Sequence, residues 1–196
     1  MKKKSVLSLF LFILLILAGC NNPKNHSKSS KYIITKENGR IIKAYLAFED
    51  YLNSDRSWEN YKKTVLDAFP EMQAVHSKQI SWGSIDSLKF PEEVKNYKKE
   101  DWEKYFNQYN DKTLGFLFDS LIQKANTILR PLNDYPVDLC LFIPYGGCFI
   151  LSGPERSTIY ISLLIDPADV QKIIVHEYAH NPWFNKGSKN GVDKHR

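Results

Sequence analysis

Ser157-Thr158-Ile159-Tyr160-Ile161-Ser162-Leu163-Leu164-Ile165 runs directly into Asp166-Pro167-Ala168-Asp169, and ten residues after Asp166 comes His176-Glu177-Tyr178-Ala179-His180. The first nine residues are rich in β-branched and aromatic side chains, the pattern of a strand. Asp166 can accept from the free N–H groups of a helix start. Pro167 fits the first turn, where its missing donor costs nothing. Asp169 adds negative charge near the positive helix end. Val170, Ile173, Ile174 and Tyr178 give the helix an apolar back. Pro182 disfavours helical geometry at Asn181, so the helix stops just past His180. A strand, a tight connection and a well-capped helix are therefore expected here.

On that helix His176 and His180 lie one turn and about 40° apart. Their ring nitrogens can converge on one zinc ion at about 2.0–2.1 Å. Glu177 stands beside the ion, where it can take a proton from a metal-activated water. His176 and His180 are thus candidate ligands for zinc (Zn2+), and Glu177 is the candidate general base. The alternative is a pair of core histidines satisfied by their neighbours. Uncharged residues at 178 and 179 and three apolar residues before the motif favour the metal.

The other end of the chain fixes an address. Lys2, Lys3 and Lys4 precede an apolar run from Val6 to Leu17, then Ala18, Gly19 and Cys20. Such a stretch is a secretory signal, too short to span a membrane. Leu17-Ala18-Gly19-Cys20 resembles the lipobox of bacterial lipoproteins, which implies a lipidated Cys20 as mature N-terminus, with diacylglyceryl and palmitate chains. More than one chain anchors stably. The mature protein is expected to partition with membranes at the cell envelope, facing outside the cytoplasm. Cys20→Ala should leave it unprocessed or released; equal fatty-acid labelling of wild type and variant would sink this expectation.

The signal carries three of the 27 basic residues and none of the 22 acidic ones, so its removal lowers the formal charge from +5 to +2. No basic-aromatic reading motif is present, and nucleic acid is not an expected partner. Residues 20–31 are polar and read as a flexible tether reaching about 35–40 Å. His26 lies within it as a solvated residue. Residues 32–184 suffice for one domain, and 185–196 form a polar tail. Cys140 and Cys148 could pair in an oxidising compartment. A turn at Pro144–Gly147 would set Cys148 opposite about Ile143, out of register with Cys140, so free, buried thiols are expected.

From Ile33 to Leu132 the pattern is mostly helical. Ile41, Tyr45, Phe48 and Leu52 make one amphipathic stripe, and Trp58 to Phe69 a second short helix stopped by Pro70. Trp102, Tyr105, Phe106 and Tyr109 form an aromatic stripe, a core element rather than a sugar platform. Behind Asp111 as N-cap, Leu114, Leu117, Phe118, Leu121, Ile122, Ala125, Ile128 and Leu129 keep one face until Pro131. Val137–Ile143 and Cys148–Leu151 read as strands joined in a hairpin at Pro144-Tyr145-Gly146-Gly147. His76 reads as a surface or capping residue.

The order of helical first half, short strands and His-Glu-x-x-His helix resembles the zincin metallopeptidases. The stretch from about Val137 through Ile161–Ile165 to Val175–Asn181 is similar to bacterial predicted zinc-dependent proteases of unknown substrate. The resemblance covers the last third of the chain. It implies an α+β, zincin-like (gluzincin-like) N-terminal subdomain, with a small sheet packed on the motif helix. It also implies that the Ser157–Ile165 strand lines the cleft and binds extended peptide by strand addition. The departures concern the third ligand. A third histidine six residues after the second is excluded, since position 186 is Lys. After Glu177 the only acidic residue is Asp193, and His195 sits in a tail with no element to hold it.

The expected function is therefore that of a membrane-anchored zinc-dependent metalloprotease acting on an unidentified peptide or protein. The domain reads as incomplete, its C-terminal subdomain missing. Two imidazoles should bind zinc weakly, and the isolated chain should show little or no turnover. The alternative is a non-catalytic surface lipoprotein using a zincin-like fold for binding.

Overall fold

Asn38-Gly39 opens the sheet. In the computed structural model, which describes residues 31–129 and 136–180, β1 (Ile33–Lys36) and β2 (Gly39–Lys43) pair antiparallel across a two-residue turn, Ile33 with Ile42 and Lys36 with Gly39. The expected signal, Cys20, His26, Pro131, Pro182 and the tail with Asp193 and His195 lie outside the described residues. Gly39 has a φ of 152°, and a Cβ there would overlap the Val137 carbonyl oxygen. Glycine lets β2 approach that strand this closely.

The stripe from Ile41 to Leu52 is thus not one helix. α1 spans Tyr45–Leu52, while Ile41 belongs to β2. Consecutive Ile41 and Ile42 are both fully buried. That is the mark of an interior strand covered on both faces. The second expected helix is also revised. α2 (Trp58–Tyr61) begins behind Ser57, whose hydroxyl accepts from Asn60 N at 3.1 Å, and widens into a π-helical turn at Lys62–Leu66. Pro70 starts α3 (Pro70–Ser81), filling a first turn where no donor is needed.

Short pieces follow: α4 (Phe90–Lys95), a 3-10 turn at Lys99–Asp101 and α5 (Glu103–Phe106). The aromatic stripe serves the core. Phe106 is buried, and Trp102 meets the Phe48 ring edge-on at 5.2 Å. α6 (Asp111–Leu129) is capped one residue earlier than expected, by Asn110, whose side-chain oxygen accepts from Thr113 N at 2.8 Å. Asp111 instead holds the nearly buried Lys43 ammonium at 2.7 Å. Leu114, Leu117, Phe118, Leu121 and Ile122 are buried as the spacing requires. The side chains of Ala125, Ile128 and Leu129 lie outside the description.

β3 (Val137–Phe142), β4 (Cys148–Ser152) and β5 (Ser157–Ser162) complete a five-stranded mixed sheet, ordered β1-β2-β3-β5-β4. β2, β3 and β5 are parallel, and β4 runs antiparallel to β5. Pro144–Gly147 is therefore no hairpin. It carries the chain over the end of β5, tied there by Ser162 N to Gly147 O at 3.0 Å and Ser162 Oγ to Tyr145 O at 2.5 Å. The hairpin is β4–β5, closed by Gly153 N to Arg156 O at 2.8 Å.

Register also sorts the side chains. Cys140 pairs with Tyr160, and Cys148 with Ile161. Neighbouring positions 160 and 161 point to opposite faces, so the two thiols do as well. They are not bridged to each other, with Cys140 buried and Cys148 half-buried, through strand order rather than the supposed hairpin.

The last described helix, α7 (Pro167–Ala179), packs with α6 on the face bearing Ile41, Leu139, Ile159 and Ile150. α3 meets the other face, where Glu71 approaches Arg40 at 3.9 Å and Trp82 meets Phe149 at 5.4 Å. The result is an α+β fold with a helical first half, a mixed sheet and the motif helix. No described helix is long and apolar enough to cross a membrane.

Candidate metal centre

α7 is built from its first turn as the sequence requires. The Asp166 carboxylate accepts from Ala168 N at 2.9 Å, with Pro167 at the first helical position. Val170, Ile174 and Tyr178 are buried at four-residue intervals, and Ile173 and Val175 are half-buried beside them. At about 100° per residue, that stripe sends His176 and His180 to the opposite, solvent side. Both histidines are exposed. Buried histidines satisfied by a core are thereby excluded.

Their geometry favours chelation. His176 Nε2 and His180 Nε2 are 3.0 Å apart, with the rings near perpendicular at 78°. Two nitrogens at about 2.0–2.1 Å from a tetrahedral zinc stand about 3.3 Å apart. Closing on an ion needs a shift of a few tenths of an ångström only. The pair therefore fits two corners of a zinc site. Among the described residues no third His, Cys, Asp or Glu completes the group.

Glu177 lies between the core stripe and the histidines and is half-buried. Its carboxylate accepts from the Cys148 thiol, Sγ to Oε1 3.6 Å, at the start of β4. Burial, and then the charge of Glu177, push the Cys148 thiol pKa up. The thiol stays protonated and can keep donating. This contact was not legible in the sequence, because it depends on β4 lying outside β5.

The strand expected to line the cleft is corrected by the same fact. β5 has partners on both sides, β3 and β4, and no free edge. β4 and β1 are the edge strands among the described residues, and α7 packs against β4.

His76 is neither surface nor cap. It is half-buried on α3, with Nδ1 2.7 Å from the Tyr145 hydroxyl and its ring against Trp58 and Phe90. Burial lowers its pKa, favouring the neutral ring. The Tyr145 hydroxyl in turn meets that of Tyr61 at 2.8 Å. The network braces the loop that leads into β4. An isolated histidine carries no sequence signal for such a role.

Compared with protein-family models, curated proteins and solved structures, the chain matches none.

Proposed function

We propose that this chain is a zincin-like, zinc-dependent metallopeptidase module carried by a lipoprotein and acting on extended polypeptide. The observation that carries the reading is the convergence of His176 Nε2 and His180 Nε2, 3.0 Å apart on the solvent side of a helix packed against an edge strand. Zinc held by this pair would supply a Lewis acid for the scissile carbonyl and activate water near neutral pH. Glu177 accepts that water's proton and passes it to the leaving amine. Cys148 holds the Glu177 carboxylate in place by its thiol hydrogen bond. The outer edge of β4, unpaired among the described residues, offers backbone N–H and C=O groups to a substrate strand. Leu17–Cys20 supports lipid attachment, which would keep the module at the membrane outside the cytoplasm.

A second reading, a non-catalytic surface lipoprotein that binds peptide on the same edge, is favoured by one observation. The described residues supply two ligands and not three. A mixed peptide library incubated with the chain and zinc separates the two. The peptidase reading expects slow cleavage that a chelator abolishes. Cleavage that survives chelation contradicts it, and peptide binding with no cleavage moves the chain to the second reading.

A further inference from the structure

A cavity of about 460 Å³ lies on the side of β4 away from α7, within the usual size range of ligand pockets. Trp82, Phe90, Tyr97 and Tyr145 supply aromatic wall, with Gln79 and Gly147 between them. The wall is braced. Gln79 is buried and donates to Gly146 O at 2.9 Å, and the Tyr145 hydroxyl is held by His76 and Tyr61. Trp82 nevertheless leaves 49% of its surface exposed, although its ring packs edge-on against Phe149. Gly147, at φ +94°, places no side chain in the gap beside Gln79 and Trp82.

The alternation of side chains connects this cavity to the motif. Cys148 points to the α7 face and touches Glu177, whereas Phe149 points to the opposite face and touches Trp82. A strand added along β4 alternates in the same way. Its residue opposite Cys148 faces Glu177. Its residue opposite Phe149, the very next one, faces Trp82 and the cavity.

We infer that this cavity is a specificity pocket for an aromatic side chain of a polypeptide laid along β4, next to the residue presented to Glu177. The inference rests on the peptide-binding part of the proposed function and needs neither zinc nor turnover. The negative charge of Glu93 in the lining disfavours an acidic side chain there.

The test uses the full chain carrying Glu177→Gln, without added metal, so that peptides stay intact. Blocked, fluorescein-labelled alanine hexapeptides with one central Phe, Trp, Ala or Asp are titrated by anisotropy. The Phe and Trp peptides should bind about tenfold more tightly than the Ala peptide, the worth of a well-packed aromatic contact. Trp82→Ala should erase that difference and Trp82→Phe restore most of it. Trp82 is half exposed, so the fold should survive; unchanged far-ultraviolet circular dichroism checks this. Equal binding of all four peptides, no binding, or a preference untouched by Trp82→Ala overturns the pocket. An aromatic preference in a chain that never cleaves peptide supports the pocket while removing the peptidase reading. Chelator-sensitive cleavage with no aromatic preference does the reverse.

Discussion

Asp138→Ala lowers the unfolding free energy by about 3 kcal/mol, a large share of the roughly 5–15 kcal/mol that holds a domain of this size together. The Asp138 side chain is fully buried near the start of β3, and an isolated carboxylate there would be prohibitive. Arg40 makes it tolerable with Nη2 at 2.6 Å and Nε at 3.1 Å, and Arg156 adds Nη1 at 3.2 Å. Removing the acid leaves two guanidinium groups facing one another across a small void. Their side chains are 34% and 40% exposed, so both can turn toward water. That relief keeps the loss at the lower end of the about 3–5 kcal/mol typical of a broken buried pair. Arg40→Ala should cost more than Arg156→Ala, because its two bonds, at 2.6 and 3.1 Å, are shorter than those of Arg156, at 3.2 and 3.3 Å, to a carboxylate that cannot move out. Urea denaturation of the three variants checks the order. Losses below about 1 kcal/mol for all three would mean that the cluster contributes little.

For the proposed peptidase activity, Glu177→Gln should lower zinc-dependent peptide cleavage by about 10²–10⁴-fold, the usual contribution of a positioned general base. The amide keeps the shape of the carboxylate and can still accept from the Cys148 thiol, which lies 3.6 Å from Oε1. It cannot take the proton of the attacking water. Zinc binding should stay within about twofold, because His176 and His180 are untouched. A variant that cleaves as fast as wild type would take Glu177 out of the chemistry. A variant that instead loses zinc would make it a ligand.

The motif helix could be read from the chain because its signals are local. Asp166 caps it, Pro167 opens it, and Val170, Ile174 and Tyr178 repeat every four residues. α6 was legible for the same reason. β1 and β2 were not, although Asn38-Gly39 is a hairpin turn signal. Ile41 happens to stand four residues before Tyr45, so the end of a strand and the start of a helix imitated one stripe. Strand order was beyond reach, because β3 and β4 are joined by five residues and yet kept apart by β5. That insertion decides which strand is the edge, which thiol meets Glu177 and which aromatic rings border the cavity. The two imidazoles and the carboxylate were visible from spacing alone. Their neighbours Cys148, Trp82 and Tyr145 became visible only through long-range pairing.

Zinc titration of the full chain by calorimetry tests the central claim most directly. The account predicts one zinc per chain, bound less tightly than in a complete three-ligand site because two described imidazoles converge on it. His176→Ala and His180→Ala should each weaken it by about 100-fold or more, since a single imidazole chelates nothing. His195→Ala should leave it unchanged. Zinc binding unaffected by loss of either His176 or His180, or no binding in the wild-type chain, would contradict the account.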